Sequence, residues 1–268
     1  MIFGIIVLVI MLGFVLAMQG RKGHPKLKEL SRWAYAHRGF HGNGVPENSM
    51  EAFRIAKSKG YGAELDVHLM ADGNLAVIHD SSLLRTAGQD VEIESLTKEQ
   101  LPDYRLENTD QKIPLLEDVL ALFAGEAPLI VELKSCGNNY AQLCEKVCDL
   151  LEGYSGLYCI ESFDPRCITW LKKHRTNIVR GQLADNFFSA KDCKLPWKIK
   201  FIMSNHLMNF LGRPDFIAYR YTERKRFVNW ICRNLWGLTG VVWTVDSPEA
   251  HKAVTEEGWI SIFEGFEL

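Results

Sequence analysis

Apolar and polar positions change period repeatedly along the chain, switching between short runs rich in Val, Ile and aromatic residues and longer runs with helical spacing. The short runs predict strands at 33–37, 62–67, 129–133, 157–162, 178–183, 215–219, 240–245 and 259–263. Helices are predicted between them, near 48–59, 115–124, 139–152, 164–174, 197–211, 222–236 and 247–257. Eight strands alternating with helices over about 235 residues fit an α/β closed parallel barrel, the (β/α)8 TIM barrel, whose usual size is about 250 residues. A doubly wound open sheet is the competing architecture. Residues 80–114 exceed an ordinary connection and predict an insertion between the second strand unit and its helix.

The most informative stretch is Tyr61 to Asp80. Ala63, Leu65 and Val67 alternate there with Glu64, Asp66 and His68. Side chains two apart on a strand share a face, so Glu64 and Asp66 point the same way. The turn signal Asp72-Gly73-Asn74 then reverses the chain into a second apolar run that ends on His79-Asp80.

Residues 2–18 carry no charge and span about 26 Å as a helix, near the short end of what crosses a bilayer. Met1 leads directly into this run, and Arg21, Lys22, Lys26 and Lys28 follow it. That order does not fit a cleaved signal peptide, which starts with positive charge. It predicts a single-pass anchor over 1–20, a basic linker over 21–32 and a cytoplasmic domain over 33–268 at the cell membrane. A cleaved signal ahead of an extracellular enzyme is the alternative.

Composition narrows the partners. With 31 basic and 33 acidic side chains there is no concentrated positive charge for nucleic acid, which leaves a small-molecule or lipid substrate. Cysteines 136, 144, 148, 159, 167, 193 and 232 form an odd set without a CxxC pair, which reads as ordinary reduced thiols.

Chemistry-bearing residues gather at predicted strand ends, where barrel enzymes place their active sites. The first strand ends on His37-Arg38-Gly39, with Pro46-Glu47-Asn48-Ser49 leading into the next helix. The second carries Glu64 and Asp66, and the third ends on Glu132-Leu133-Lys134. A carboxylate on a buried strand costs several kcal/mol unless it is paired or binds a metal. Ion pairs with Arg38 and Lys134 are one solution. One divalent cation is the other, and all-oxygen ligation selects Mg²⁺ or Ca²⁺ over Zn²⁺.

The ordered motifs HRG, PENS, GAELDV, DGNLAVIHD, SLLRTAG, IPLLEDVL and IVELK resemble the glycerophosphodiester phosphodiesterase family. The resemblance continues through Glu161-Ser162-Phe163-Asp164, Val242-Trp243-Thr244-Val245 and the terminal IFEGF, covering nearly all of 33–266. It implies a barrel with a small insertion after the second strand. It also implies metal-binding roles for Glu64, Asp66 and Glu132, catalytic roles for His37 and His79, and phosphate contacts for Arg38 and Lys134. Glu47 matches a position beside the site, either as a ligand or as a neighbour of the ligands. The family's Arg-Thr-Thr reads Arg85-Thr86-Ala87 here, a departure expected to affect the insertion more than the chemistry.

The implied reaction is metal-dependent hydrolysis of glycerophosphodiesters to sn-glycerol 3-phosphate and an alcohol. Two imidazoles titrating near 6.5 suit its proton transfers, with His37 as base and His79 as acid or the reverse. The family mechanism implies prior attack by the substrate's own hydroxyl through a cyclic phosphate. Trp243, Ser162 and Phe163 each read equally as pocket wall or as core. The apolar segment 196–236 reads chiefly as inner helix faces, with a basic run at Arg220, Arg224, Lys225 and Arg226 that also resembles an interfacial helix. A lysophospholipase D acting on membrane lysolipids is the alternative within the same chemistry. A non-catalytic membrane-tethered binding barrel is the alternative of another class, and it predicts a missing histidine or acid; none is missing.

Overall fold

The computed structural model describes residues 2–189 and 193–268. In chain order it comprises α1 (Ile2–Ala17), α2 (Leu27–Leu30), β1 (Tyr35–Ala36), α3 (Met50–Ser58), β2 (Gly62–Leu69), β3 (Leu75–Val77) and α4 (Leu84–Ala87). There follow α5 (Leu116–Phe123), β4 (Leu129–Leu133), α6 (Tyr140–Glu152), β5 (Tyr158–Ser162), α7 (Pro165–His174) and β6 (Arg180–Ala184). The chain ends with α8 (Trp197–Ser204), α9 (Asn209–Gly212), β7 (Phe216–Arg220), α10 (Phe227–Trp230), β8 (Thr239–Val245), α11 (Pro248–Glu256) and β9 (Trp259–Phe263).

Among the described residues, eight strands pair in parallel around a closed ring, since β1 bonds to both β2 and β9, and β3 adds one antiparallel strand on β2. This is the (β/α)8 barrel expected from the alternating pattern. Each strand is buried on both faces, but the two faces differ in kind. Ala63, Leu65, Val67, Val131 and Ile160 face the helices, where they pack with Phe53, Leu116, Val119, Leu143 and Val147. Tyr35, Ile130, Cys159, Phe216, Ala218, Val241 and Ile260 fill the barrel interior. Polar side chains occupy the upper interior layer, which lies at the C-terminal ends of the strands.

Local signals fix the helix starts. Ser49 of PENS caps α3, its hydroxyl accepting from the Ala52 N–H at 3.1 Å. Asp164 and Ser247 cap α7 and α11, each followed by proline in the first turn. On α6 the buried stripe is Leu143, Cys144, Val147, Cys148 and Leu151, so Cys144 and Cys148 serve as core residues, and all seven cysteines are free thiols.

The expected insertion over 80–114 folds as α4 and three short 3₁₀ turns around a core of its own that includes Ile78, Leu83, Ile93, Leu96 and Leu101. His68 at the end of β2 ties it down, with Nδ1 2.6 Å from Glu94 Oε1.

The single-pass membrane placement is corrected. α1 has 16 residues, about 24 Å of helix, against a hydrocarbon core about 30 Å thick. Among the described residues no helix is long and apolar enough to cross a membrane. The physical reason lies at the end of the apolar run. Met18 is fully buried beside Ile217, Cys232 and Leu238, Phe14 and Val15 pack against the same cluster, and Trp236 Nε1 donates to the Val15 carbonyl at 2.9 Å. The run's last residues are therefore core of the barrel, and its length in sequence overstates the helix. The basic segment after it is also docked, with Arg21 forming a bidentate pair with buried Asp215 beneath β7.

Candidate active site

Register assembles the acids. Asp66 of β2 stands opposite Glu132 of β4, and Glu132 stands opposite Glu161 of β5. Glu64, two residues before Asp66, shares its inward face, and the carboxylate oxygens of Glu64, Asp66 and Glu132 lie within 4.8 Å of one another, all buried. Lys134 reaches over this group, with Nζ 3.0 Å from Asp66 Oδ1 and 2.8 Å from Glu132 Oε1. Asn48 Nδ2 donates to Asp66 Oδ2 at 2.8 Å.

The turn after β1 supplies the other wall. Arg38 adopts a φ of 51°, in the left-handed region, and its backbone N–H donates to Glu64 Oε2 at 3.0 Å. Gly39 follows at φ 79°, and a Cβ there would sit 2.8 Å from the Ala52 backbone, so only glycine lets this turn lie against α3. The Arg38 guanidinium pairs with Glu47 and approaches Asp66 Oδ2 to 3.5 Å.

His37 and His79 arrive from opposite sides. The His37 N–H bonds to the Phe263 carbonyl of β9, and Nδ1 is 2.6 Å from Glu264 Oε2. The Asp72-Gly73-Asn74 turn closes the β2–β3 hairpin, and Ile78 N–H donates to the Asp66 carbonyl, which sets His79 beside the acids. His79 Nδ1 lies 2.6 Å from Asp80 Oδ1. Asp80 accepts from Arg85, Arg85 pairs with Glu47, and Glu47 pairs with Arg38, so a chain of charges from the insertion to the first strand backs the site.

These contacts assign the tautomers. The hydrogen bond from His37 and a weaker contact with His41 hold the Glu264 carboxyl well below the usual range, and Asp80 is lowered by Arg85 and His79 against the effect of its partial burial. Ionised carboxylates only accept, so each imidazole carries its hydrogen on Nδ1 and turns a free Nε2 to the site. Burial lowers His37, and burial followed by the Lys134 charge pushes His79 down to about 4, which leaves both rings neutral at pH 7. Burial raises Glu64, with Asp66 and Glu132 adding to the effect, and it raises Glu132 to about 7. Burial also opposes ionisation of Asp66, but the Lys134, His79 and Arg38 charges hold it low.

His37, Arg38, Glu64, His79, Glu132 and Lys134 all border one cleft of about 50 Å³, and Asp66 clusters with two of them, Glu64 and Glu132. Phe163 and Trp243 form its apolar wall, their rings edge to face at 5.8 Å. Ser162 is not part of it, because its hydroxyl donates to the Leu133 carbonyl at 2.7 Å and accepts from the Asp164 N–H. Glu47 stands one ion pair behind, between two arginines. Sequence reasoning gave no role to Glu161, a fourth buried acid bordering the cleft, whose carboxyl burial raises well above its usual range. The signal was present in the alternation of Glu161 with Ile160. Asp80 and Glu264 were missed as partners of the histidines, although each lies inside a quoted motif, DGNLAVIHD and IFEGF.

A family model described as the glycerophosphoryl diester phosphodiesterase family matches residues 37–264, from the first site histidine to its carboxylate partner. The chain belongs to this family. A glycerophosphodiester phosphodiesterase of Bacillus altitudinis is 40% identical over 129 residues, 45% of this chain and 52% of that protein. The rat lysophospholipase D GDPD1 is 35% identical over 132 residues, 44% of this chain and 40% of that protein. The matches thus span about half the length of these curated relatives or less. The fold is shared with a phosphodiesterase of Oleispira antarctica, solved in complex with the product sn-glycerol-3-phosphate, at a TM-score of 0.70 and 21% identity over 87% of this chain and 92% of that one. A shared fold does not by itself fix the chemistry, which resides in the side chains around the cleft.

Proposed function

We propose that this chain hydrolyses glycerophosphodiesters to sn-glycerol 3-phosphate and an alcohol. The observation that carries the reading is the pair of carboxylate-backed imidazoles flanking a buried acid cluster, with Arg38 and Lys134 beside them. A non-catalytic barrel has no use for two oriented neutral imidazoles.

The acid cluster fits a divalent cation. Three buried carboxylates offer oxygens within 4.8 Å of one another, and burial and mutual repulsion raise Glu64 and Glu132, an excess of negative charge that a cation relieves. Glu64, Asp66 and Glu132 would hold it, and an all-oxygen set suits Mg²⁺ or Ca²⁺. When bound, such an ion polarises the phosphoryl oxygens and neutralises charge developing on them.

The remaining work falls to the side chains. Arg38 and Lys134 orient the phosphodiester by charge. An imidazole Nε2 accepts the proton of the attacking oxygen, a new P–O bond forms, the P–O bond to the head-group alcohol breaks, and the second imidazole gives its proton to the departing oxygen. A phosphodiester anion bound between the rings raises their proton affinity, which supplies the imidazolium the second step needs. We assign His37 as the base and His79 as the acid. Glu264 and Asp80 keep both rings aligned throughout. Phe163 and Trp243 shield the cleft from water.

The test is incubation of the full chain with glycerophosphocholine, with and without Mg²⁺ or Ca²⁺, followed by measurement of sn-glycerol 3-phosphate and choline. Release of both in equal amounts is expected. No release with either ion would overturn the reading.

A further inference from the structure

The His37 ring has two nitrogens that serve different surroundings. Nε2 lies 4.0 Å from Glu64 Oε2 and turns to the cleft, whereas Nδ1 turns away from it to Glu264. Behind the ring, His41 completes a cluster in which one donor atom from each of His37, His41 and Glu264 lies within 4.8 Å of the others. His41 Nε2 is 3.6 Å from Glu264 Oε2, too far for a hydrogen bond, and this buried nitrogen has no hydrogen-bond partner among the described residues. A void of about 10 Å³ adjoins the pair, between the turn at 39–41 and the chain at 263–265, and a space of that size takes one small ion or one water. His41 and Glu264 border this void and not the cleft, so the two spaces are separate.

The fold holds these donors in place. Phe40 N–H donates to the Ala52 carbonyl at 2.9 Å, and Gly42 and Val45 exchange both backbone hydrogen bonds, so His41 sits between two anchored points. Glu264 N–H donates to the Val245 carbonyl, and its side chain is 38% exposed, which gives an ion a way in. Two imidazoles and one carboxylate suit Zn²⁺ rather than Mg²⁺ or Ca²⁺ and leave a fourth position for water. The all-oxygen cluster on the other side of His37 has the opposite preference. Tetrahedral Zn²⁺, with bonds of about 2.0–2.1 Å, spaces its donors about 3.3 Å apart. His41 and Glu264 already stand near that spacing, and the 2.6 Å hydrogen bond from His37 to Glu264 must open by about 0.7 Å, a small movement for a partly exposed glutamate side chain.

We propose that His37 Nδ1, His41 Nε2 and the Glu264 carboxylate form a zinc-type site that switches hydrolysis off. A neutral imidazole bound to a metal through Nδ1 carries its hydrogen on Nε2. The hydrogen on Nδ1 leaves to solvent as the metal takes that electron pair, and one from solvent settles on Nε2, so the ring stays neutral. His37 then donates into the cleft and no longer accepts, which blocks its role as the base. The ion site stands on its own geometry; the inhibition rests on the phosphodiester hydrolase reading.

The test uses the full chain with Mg²⁺ in large excess, so that Mg²⁺ fills the acid cluster. Calorimetric titration with Zn²⁺ should show one further site. His41→Gln and Glu264→Gln should each weaken it by about tenfold or more, while Asp66→Asn, which acts on the acid cluster, leaves it unchanged. Zn²⁺ should lower kcat for choline release from glycerophosphocholine with KM within about twofold, and His41→Gln, measured against its own zinc-free rate, should need about tenfold more Zn²⁺ or above for half inhibition. Long-range ¹H–¹⁵N correlation spectra of the imidazoles should show the His37 hydrogen on Nδ1 without Zn²⁺ and on Nε2 with it. Zinc affinity that survives both glutamine variants, with thermal melts verifying their folding, would overturn the proposal. So would its loss in Asp66→Asn, which would put the zinc in the acid cluster, or full turnover with zinc bound. Failure of the hydrolase reading looks different, with no turnover in Mg²⁺ alone while Zn²⁺ still binds wild type and not the glutamine variants.

Discussion

Glu264 holds Nδ1 of His37 at 2.6 Å although 227 positions separate them in sequence. Barrel closure makes the contact, because β9 pairs with β1 and the residue after each strand falls at the same rim. Glu264→Ala removes the acceptor that fixes the tautomer and leaves every substrate-facing group in place. The expected outcome is a fall in kcat of about 10–100-fold with KM within about twofold, read by steady-state kinetics. A change confined to KM would show that Glu264 binds substrate instead.

His37→Ala and His79→Ala should each lower kcat/KM by about 10²–10⁴-fold, the usual contribution of a positioned acid or base. The double variant should lose less than the product of the single losses, because two groups in one proton-transfer sequence are not independent. Full activity in either single variant would remove that residue from the reaction.

Cation binding can be read without turnover. Calorimetric titration of the full chain with Mg²⁺ or Ca²⁺ should show one site, and a cation at about 100 times its dissociation constant should stabilise the fold by about 2.7 kcal/mol in thermal melts. Asn48→Ala, which loses the bond to Asp66 Oδ2, should weaken binding by about 10–100-fold. Asp66→Asn should weaken it further, since it removes a charge as well as orientation. Unchanged affinity in Asp66→Asn would displace the cation from this cluster.

His206 gives a pH dependence remote from the cleft. It is buried, its Nε2 lies 2.9 Å from Asn229 Oδ1, and burial pushes its pKa down to about 4. Between about pH 6.5 and 4 the unfolded chain therefore binds a proton that the folded chain does not, so stability falls as pH falls through this window. The slope is about 1.4 kcal/mol per pH unit at most from this one group. His206→Asn tolerates the φ of 54° and removes the titration. The variant should be less stable at pH 7 by about 1–2 kcal/mol but lose less between pH 6.5 and 4, measured by urea denaturation. An acid limb as steep as wild type would exclude His206 as its source.

The periodicity of the sequence by itself located all eight parallel strands, because a strand buried on both faces needs β-branched and aromatic residues whatever it packs against. Alternation likewise put Glu64 and Asp66 on one face before any fold was known. Long-range pairing was not legible in the same way. Hydrophobic period reports that a residue is buried but not in which layer, so Glu161 was not distinguished from a core-strand position, and only the β4–β5 register set it beside Glu132. The Arg85-Thr86-Ala87 stretch was expected to bear on the insertion more than on the chemistry, yet the Arg85 side chain joins Asp80 to Glu47 behind His79. The uncharged run at 2–18 was read by its length, whereas tertiary packing of Phe14, Val15 and Met18 on the barrel decided where the helix stops. The apolar wall of the cleft likewise depends on Phe163 meeting Trp243, two residues from separate strand ends. Sequence thus determined which segments are strands and which acids share a face, since both follow from neighbours a few residues apart. Closure of the barrel decided which carboxylate orients which histidine and what space adjoins them, because those contacts join residues far apart along the chain.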